Sequence, residues 1–388
     1  MKRTLVLSSF LIIIFSLAFV FSGCSYNYDD QGLKYTLDRD GTYSVSVGKA
    51  TDLSVITIPD TFNGKAVISI GLAGFRDCTA LTEIIIPDSV LYVNDAAFSG
   101  CTSLKKANLG SGIKKIGEYA FLNCPIEDIE IPESVTTIAT GAFQKTALKT
   151  VRIPDSVTAI TPNSFTYCKS LTEVQMGEGV KSIQSGAFQH CESLRKINIP
   201  SGIVKIGTHA FNSCYALENI TLPEGLTEIS NYAFSSCRAF TEINIPKGVT
   251  AIGNYAFSGC ENLIKITIPD GVNKIGNSAF FSCHSLESIS LPESVVVIGE
   301  YAFSYCTALT EIAIPSAVNT IEVYTFSHCE NLVTVELPEN LVSIGENAFW
   351  NCTSLFRINF KGSQSDWNTV QKSPNWDSGA TNYTMYFE

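Results

Sequence analysis

A phenylalanine returns at Phe75, Phe98, Phe121, Phe143, Phe165, Phe188, Phe211, Phe234, Phe257, Phe280, Phe303, Phe326 and Phe349, spaced 23 residues apart except for two steps of 22. Self-similarity at one short period marks a repeat array, in which each unit touches only its neighbours. Thirteen turns in one phase make the single turn the object to explain.

One turn reads Leu263, Ile266, Ile268, Pro269, Val272, Ile275, Gly276, Ala279, Phe280, Cys283. Ile266-Thr267-Ile268 alternates, which predicts a strand with one buried face. Pro269 has no amide proton and ends the ladder, and eleven of the 14 prolines occupy this column. Val272 and Ile275 lie three apart, Gly276 permits a bend, and Ala279, Phe280 and Cys283 predict one helical or 3-10 turn leading to the next strand. Such a turn carries about eight inward apolar groups and cannot bury them alone. Stacking buries them, with strands pairing in parallel at about 4.8 Å, so the array spans roughly 60 Å.

The pattern Leu-x-x-Ile-x-Ile-Pro-x-x-Val-x-x-Ile-Gly-x-x-Ala-Phe-x-x-Cys resembles the BspA-like, or Treponema pallidum type, leucine-rich repeat over about residues 33–388. The resemblance implies an α/β repeat fold: a right-handed horseshoe solenoid with parallel β-strands and short helical turns. It also implies a surface protein of the kind found in bacteria and some protists, several of which are linked to adhesion or to binding of host matrix proteins.

Both ends leave the pattern. Leu33–Leu37 and Tyr43–Val47 flank Asp38-Arg39-Asp40-Gly41 and read as a hairpin, and Asn63-Gly64-Lys65 marks a second turn. This N-terminal cap, residues 33–65, precedes repeats over 66–360. Residues 361–388 form a C-terminal cap, in which Trp367, Trp376, Tyr383 and Tyr386 are expected to lid the last turn rather than stack on a ligand.

Residues 1–23 form a processing segment. Lys2 and Arg3 precede an apolar run from Leu5 to Phe21, which ends in Phe21-Ser22-Gly23-Cys24. This resembles a bacterial lipoprotein signal, with Phe21 where Leu, Val or Ile is usual. The resemblance implies cleavage before Cys24 and lipid on its sulfur, with residues 24–32 as a tether. An ordinary secretory signal or an uncleaved anchor is the alternative, and all three export the rest of the chain. Loss of Lys2 and Arg3 takes the net charge from −11 to −13. So acidic a chain is a poor partner for nucleic acid or for an anionic lipid surface, which leaves the lipid as the expected membrane contact.

The other twelve cysteines, from Cys78 to Cys352, share one column beside the phenylalanine. Export invites a disulfide reading. Neighbouring turns place their α-carbons near ~5 Å, within disulfide reach, but the side chains leave the stack in parallel. Free, buried thiols are therefore expected. The column also lacks the close Cys-x-x-Cys pairs of metal sites.

Catalytic residues in a repeat array should break the pattern. His190, His209, His284 and His328 occupy variable positions, expected to be exposed, with no fixed carboxylate partner, and no phosphate-cradling glycine loop follows a strand. No cofactor and no enzymatic activity are expected. The irregular stretch is 124–168, where two turns lose a residue, Thr146 replaces the column cysteine and Thr161-Pro162 replaces the bend glycine. A tolerated slip is the simpler reading, and a local site the other.

The expected binding surface is the strand face directed away from the core, presented as a concave array. Its candidates are Lys106, Glu130, Arg152, Glu173, Gln175, Lys196, Asn198, Asn219, Glu242, Asn244 and Lys265. Rigid sheets with varied polar side chains are how solenoids hold extended partners. A second candidate is the column two residues before the phenylalanine, with Tyr119, Tyr232, Tyr255, Tyr301 and Tyr324, whose rings could equally pack between turns. The functional expectation is a non-catalytic binding or adhesion scaffold for a protein or glycan. The alternative is a structural spacer of the cell envelope with no specific ligand.

Overall fold

The computed structural model describes residues 27–380 and 382–388. The leader expected at residues 1–23 and the expected lipid site Cys24 lie outside them. Thirteen coils, numbered here from Phe75 in coil 1 to Phe349 in coil 13, stack in the 23-residue register of the sequence: Glu242, Ile243 and Asn244 pair in parallel with Lys265, Ile266 and Thr267. Ile243 and Ile266 are buried and their flanking residues exposed, as the alternation requires.

A second parallel sheet was not anticipated. It consists of two-residue strands such as Ala251–Ile252, Lys274–Ile275 and Val297–Ile298, one per coil. Each buries its isoleucine and leaves its first residue at least partly exposed. Two residues hold too little alternation to be read as a strand without the neighbouring coil.

The expected helical turn at Ala279–Cys283 is absent. Among the described residues the one α-helix is Gln364–Thr369, in the C-terminal cap. In each coil the amides around the phenylalanine alternate in direction. Ala256, Ser258 and Cys260 donate to carbonyls three residues earlier, while Tyr255, Phe257 and Gly259 donate to Asn277, Ala279 and Phe281 of the next coil at 2.7–2.9 Å. An α-helix would aim all of its amides along its own axis and leave none for the stack. Reversing every second amide requires left-handed backbone. The residues two before and two after the phenylalanine have positive φ, as at Tyr255 (56°) and Gly259 (71°) or Tyr324 (57°) and His328 (59°).

The phenylalanines are fully buried and stack along the axis, with Phe234–Phe257 and Phe257–Phe280 both at 5.6 Å. Beside them the twelve column cysteines are buried and free, as expected. Each thiol from Cys101 onward donates to the phenylalanine carbonyl of the preceding coil, as Cys260 Sγ does to Phe234 O at 3.3 Å. A small side chain with a weak donor fits there. Thr146, the exception, turns to its own coil and donates to Phe143 O at 2.9 Å. Burial pushes the Cys260 thiol up to about 12.

The bend glycine of the sequence reading has a different role. Gly276 has no left-handed φ, but a Cβ there would meet Asn254 N at 2.6 Å and Gly253 C at 2.7 Å. Gly276 N–H reaches Ile252 C=O at 2.9 Å with no side chain to displace the neighbouring backbone. Ala139 and Gln184 of the same column make the equivalent bond to Ile116 and Ile160 at 2.9 and 2.8 Å, so the column favours glycine without requiring it.

At three junctions that bond lapses. Both sheets end between coils 4 and 5, 7 and 8, and 11 and 12, while the turn ladder runs on. The glycine column holds Thr161, Ser230 and Glu322 in the coil after each lapse. Thr161 and Ser230 hydroxyls donate to Ile138 O at 2.8 Å and Ile206 O at 2.7 Å, taking the carbonyls that a backbone amide takes elsewhere. A hydroxyl in this column therefore substitutes for the sheet bond. The irregular stretch 124–168 contains the first such junction.

The ends are covered. Lys34–Leu37 and Tyr43–Ser46 form an antiparallel hairpin, and the second strand pairs in parallel with Lys65–Ile70, so it starts the second sheet. Asn63 (φ 49°) and Gly64 (φ 74°) make the two-residue turn between Thr61–Phe62 and Lys65–Ile70. From Tyr28 onward the chain folds against the hairpin, with Tyr35 Oη donating to Asp29 at 2.7 Å. At the other end Thr384–Phe387 adds a parallel strand to Arg357–Phe360. Trp376 meets Phe349 edge-on at 5.9 Å and Trp367 at 6.0 Å, closing the phenylalanine column.

Candidate functional site

The strand face carries the candidate residues in two straight files. Lys106, Glu130, Arg152, Gln175, Lys196, Asn198, Asn219, Glu242, Asn244 and Lys265 are solvent-facing, and Glu173 is half-buried. Inward neighbours such as Val174, Ile243 and Ile266 are in the core, so the period of two alone dictates which side chains face solvent.

Their partners divide them. Lys106 Nζ lies 3.0 Å from Glu83 and holds that carboxyl below the usual range. Arg152 pairs with Glu133. Asn198 serves the backbone of the preceding coil. Its Oδ1 accepts from Met176 N–H at 2.6 Å and its Nδ2 donates to Met176 C=O at 2.8 Å. Asn219 accepts from Thr241 and Glu242 N–H at 3.0 and 3.2 Å. These two amides replace a strand partner that is absent on one side. Lys196, Glu242 and Lys265 form no ion pair within 4.0 Å among the described residues.

Grooves open on this face where pairing fails. Arg152, Glu173, Gln175, Lys196, Asn198 and Asn219 line a groove of about 560 Å³ that leads to the junction of coils 7 and 8. A second groove of about 510 Å³ lies over Lys106, Asn108 and Glu130. Sequence reading missed Arg195 and Glu218 on the rim of the first. It also missed Ile197, Ile199 and Ile220, only partly buried where most of their column mates are in the core. The available signal was Ser230, the hydroxyl that interrupts the glycine column.

The tyrosine column packs between coils. Tyr232 stacks on His209 at 4.5 Å and on Tyr255 at 4.6 Å, and Tyr301 stacks on Tyr324 at 4.8 Å. Three histidines expected at exposed positions are half-buried in such stacks instead. His190 lies on Tyr167, His209 on Tyr232 and His328 on Tyr305. Left-handed backbone disfavours these side chains, and ring stacking of about 0.5–1.5 kcal/mol per pair offsets it. His284 is exposed, as expected. Among the described residues no helix is long and apolar enough to cross a membrane.

A stack of parallel coils with an exposed polar strand file defines a leucine-rich-repeat scaffold. Residues 68–192, 136–264 and 250–370 match the family described as BspA type leucine rich repeat region, and the chain belongs to that family. No curated protein matches the chain by sequence. It is similar to the crystal structure of a leucine-rich repeat protein from Bacteroides ovatus, with 27% identity over 94% of this chain and 100% of that one, at a TM-score of 0.73. A leucine rich cell surface protein from Faecalibacterium prausnitzii is 30% identical over 90% and 98%, at a TM-score of 0.59. The pneumococcal vaccine antigen PcpA shares the fold, with 17% identity over 92% and 97% and a TM-score of 0.58.

Proposed function

We propose that this chain is a non-catalytic binding scaffold, held at the cell surface by lipid on Cys24, whose strand face takes a protein or glycan partner. The observation that carries the reading is the exposed strand file with its groove of about 560 Å³. Stacked coils give that surface a rigid backing, which lowers the ordering cost of binding. The Faecalibacterium relative is described as a cell surface protein, in keeping with the lipoprotein-like leader of this chain.

The test uses the lipid-free chain against immobilised matrix proteins and surface glycans. The charge reversals Arg152→Glu, Lys196→Glu and Glu242→Lys should each weaken binding at least severalfold without changing the melting temperature. Unchanged affinity in all three removes the strand face from consideration. Mass spectrometry of the membrane-extracted protein tests the anchor: a diacylglycerol-modified N-terminal Cys24 is expected.

A further inference from the structure

We propose that the open junction between coils 7 and 8 is a docking cleft for an extended polypeptide segment. This rests on the strand face being the binding surface and adds both a position and a ligand class.

At this junction neither sheet continues. Lys196–Ile197 ends one sheet and Lys205–Ile206 the other, and Glu228–Ile229 begins a new one. On the opposite side the coils stay joined. His209, Phe211 and Ser213 N–H donate to Asn231, Ala233 and Ser235 at 3.2, 2.9 and 2.8 Å, and Phe211 stacks on Phe234 at 5.6 Å. The junction is thus hinged along the phenylalanine column. On the sheet side it is crossed by few bonds, among them Glu218 N–H to Arg195 C=O at 3.2 Å and Ser230 Oγ to Ile206 O at 2.7 Å, so it can widen there.

Three features of the cleft match a polypeptide. First, Asn219, Ile220, Thr221 and Leu222 run outside any strand, and their N–H and C=O groups form no hydrogen bond among the described residues. Alternating amide donors and acceptors along a partner backbone are the complement of such a row. Second, Ile197, Ile199 and Ile220 are left partly uncovered along the opening, which suits apolar side chains. Third, the rim carries both signs, Arg195 and Lys196 against Glu173 and Glu218. Lys196, Arg195 and Glu218 form no ion pair within 4.0 Å among the described residues. A glycan offers neither the amide row nor the apolar side chains, and a nucleic acid would meet four acidic groups, Asp155, Glu173, Glu178 and Glu218.

The test screens a display library of random peptides against the lipid-free chain, with a glycan array alongside. Two variants probe the joint. Thr221→Pro removes an amide that has no partner among the described residues, so folding should be unaffected while peptide affinity falls tenfold or more. Lys205→Cys with Glu228→Cys puts one thiol on each edge of the second-sheet opening, away from the groove. Their disulfide should hold the junction closed and abolish binding, and reductant should restore it. Alternate N-methylation of an enriched peptide should also abolish binding. Peptides that bind wild type, Thr221→Pro and the oxidised pair equally would overturn the cleft. So would binding of glycans alone. Either result leaves the strand-face function standing if the charge reversals still act, whereas inert charge reversals would remove that function itself.

Discussion

Removing one stacked ring should have different consequences at an open junction and inside a closed block. Phe211 and Phe326 are both fully buried and each stacks on two neighbours. Phe→Ala costs about 3–5 kcal/mol at either site. The surroundings differ. Between coils 12 and 13 both sheets and the turn ladder are continuous, whereas between coils 7 and 8 the ladder remains with few bonds besides, among them Glu218 N–H to Arg195 C=O at 3.2 Å and Ser230 Oγ to Ile206 O at 2.7 Å. The open junction lacks about five backbone bonds, or roughly 2.5–7.5 kcal/mol of coupling at ~0.5–1.5 kcal/mol each. In a repeat array cooperativity depends on such interface terms. Trp350, Trp367 and Trp376 all lie C-terminal to the open junction, so indole fluorescence reports that side and far-UV circular dichroism reports the whole. These tryptophans lie in the block beyond the open junction of coils 11 and 12, so the matched closed-block variant is Phe326→Ala. Its buried ring stacks on Phe303 and Phe349, and its loss should lower the fluorescence midpoint along with the circular-dichroism one in a urea titration. Phe211→Ala should separate them, with the fluorescence midpoint near wild type. Superimposed traces for Phe211→Ala would refute the idea that the junction is weak.

Three further outcomes follow from the geometry. Gly276→Ala drives a Cβ into backbone at 2.6 Å and should cost about 2–3 kcal/mol in urea unfolding, while Gly271→Ala, whose nearest backbone contact is at 3.4 Å, should stay within about 0.5 kcal/mol. Ala96 holds φ at 53° with no ring to stack, so Ala96→Gly should raise stability by roughly 1 kcal/mol, visible as a higher urea midpoint. Burial raises Cys168 to about 11 and Cys260 and Cys352 to about 12, above the ordinary thiol value of 9.0. The folded chain therefore keeps protons that the unfolded chain releases. Stability is full below pH 9 and falls as pH rises towards 12, by about 1.4 kcal/mol per buried thiol per unit. Urea midpoints at rising pH check the sign, and Cys260→Ala should flatten the slope by one thiol.

The sequence alone determined the coil, the register and the solvent-facing file, because a 23-residue period and an alternation of two are local properties of the chain. It also placed Phe and Cys in the core, since burial of a column follows from stacking identical units. What it could not contain was where a backbone amide goes. The turn around Phe257 looked helical by spacing, yet its amides reach Asn277, Ala279 and Phe281 in the next coil, a choice that exists only once that coil is present. The same holds for Ile252 and Ile275, whose two-residue strands form through their neighbours. Asn198 and Asn219 read as free polar groups and prove to be bound to adjacent backbone. The opening between coils 7 and 8 belongs to this class as well. Ser230 is one unremarkable residue in the sequence, and only the stack shows its hydroxyl holding Ile206 O in place of a sheet amide. Hydrogen-bond direction between coils is a tertiary quantity, and it decided where this solenoid is closed and where it opens.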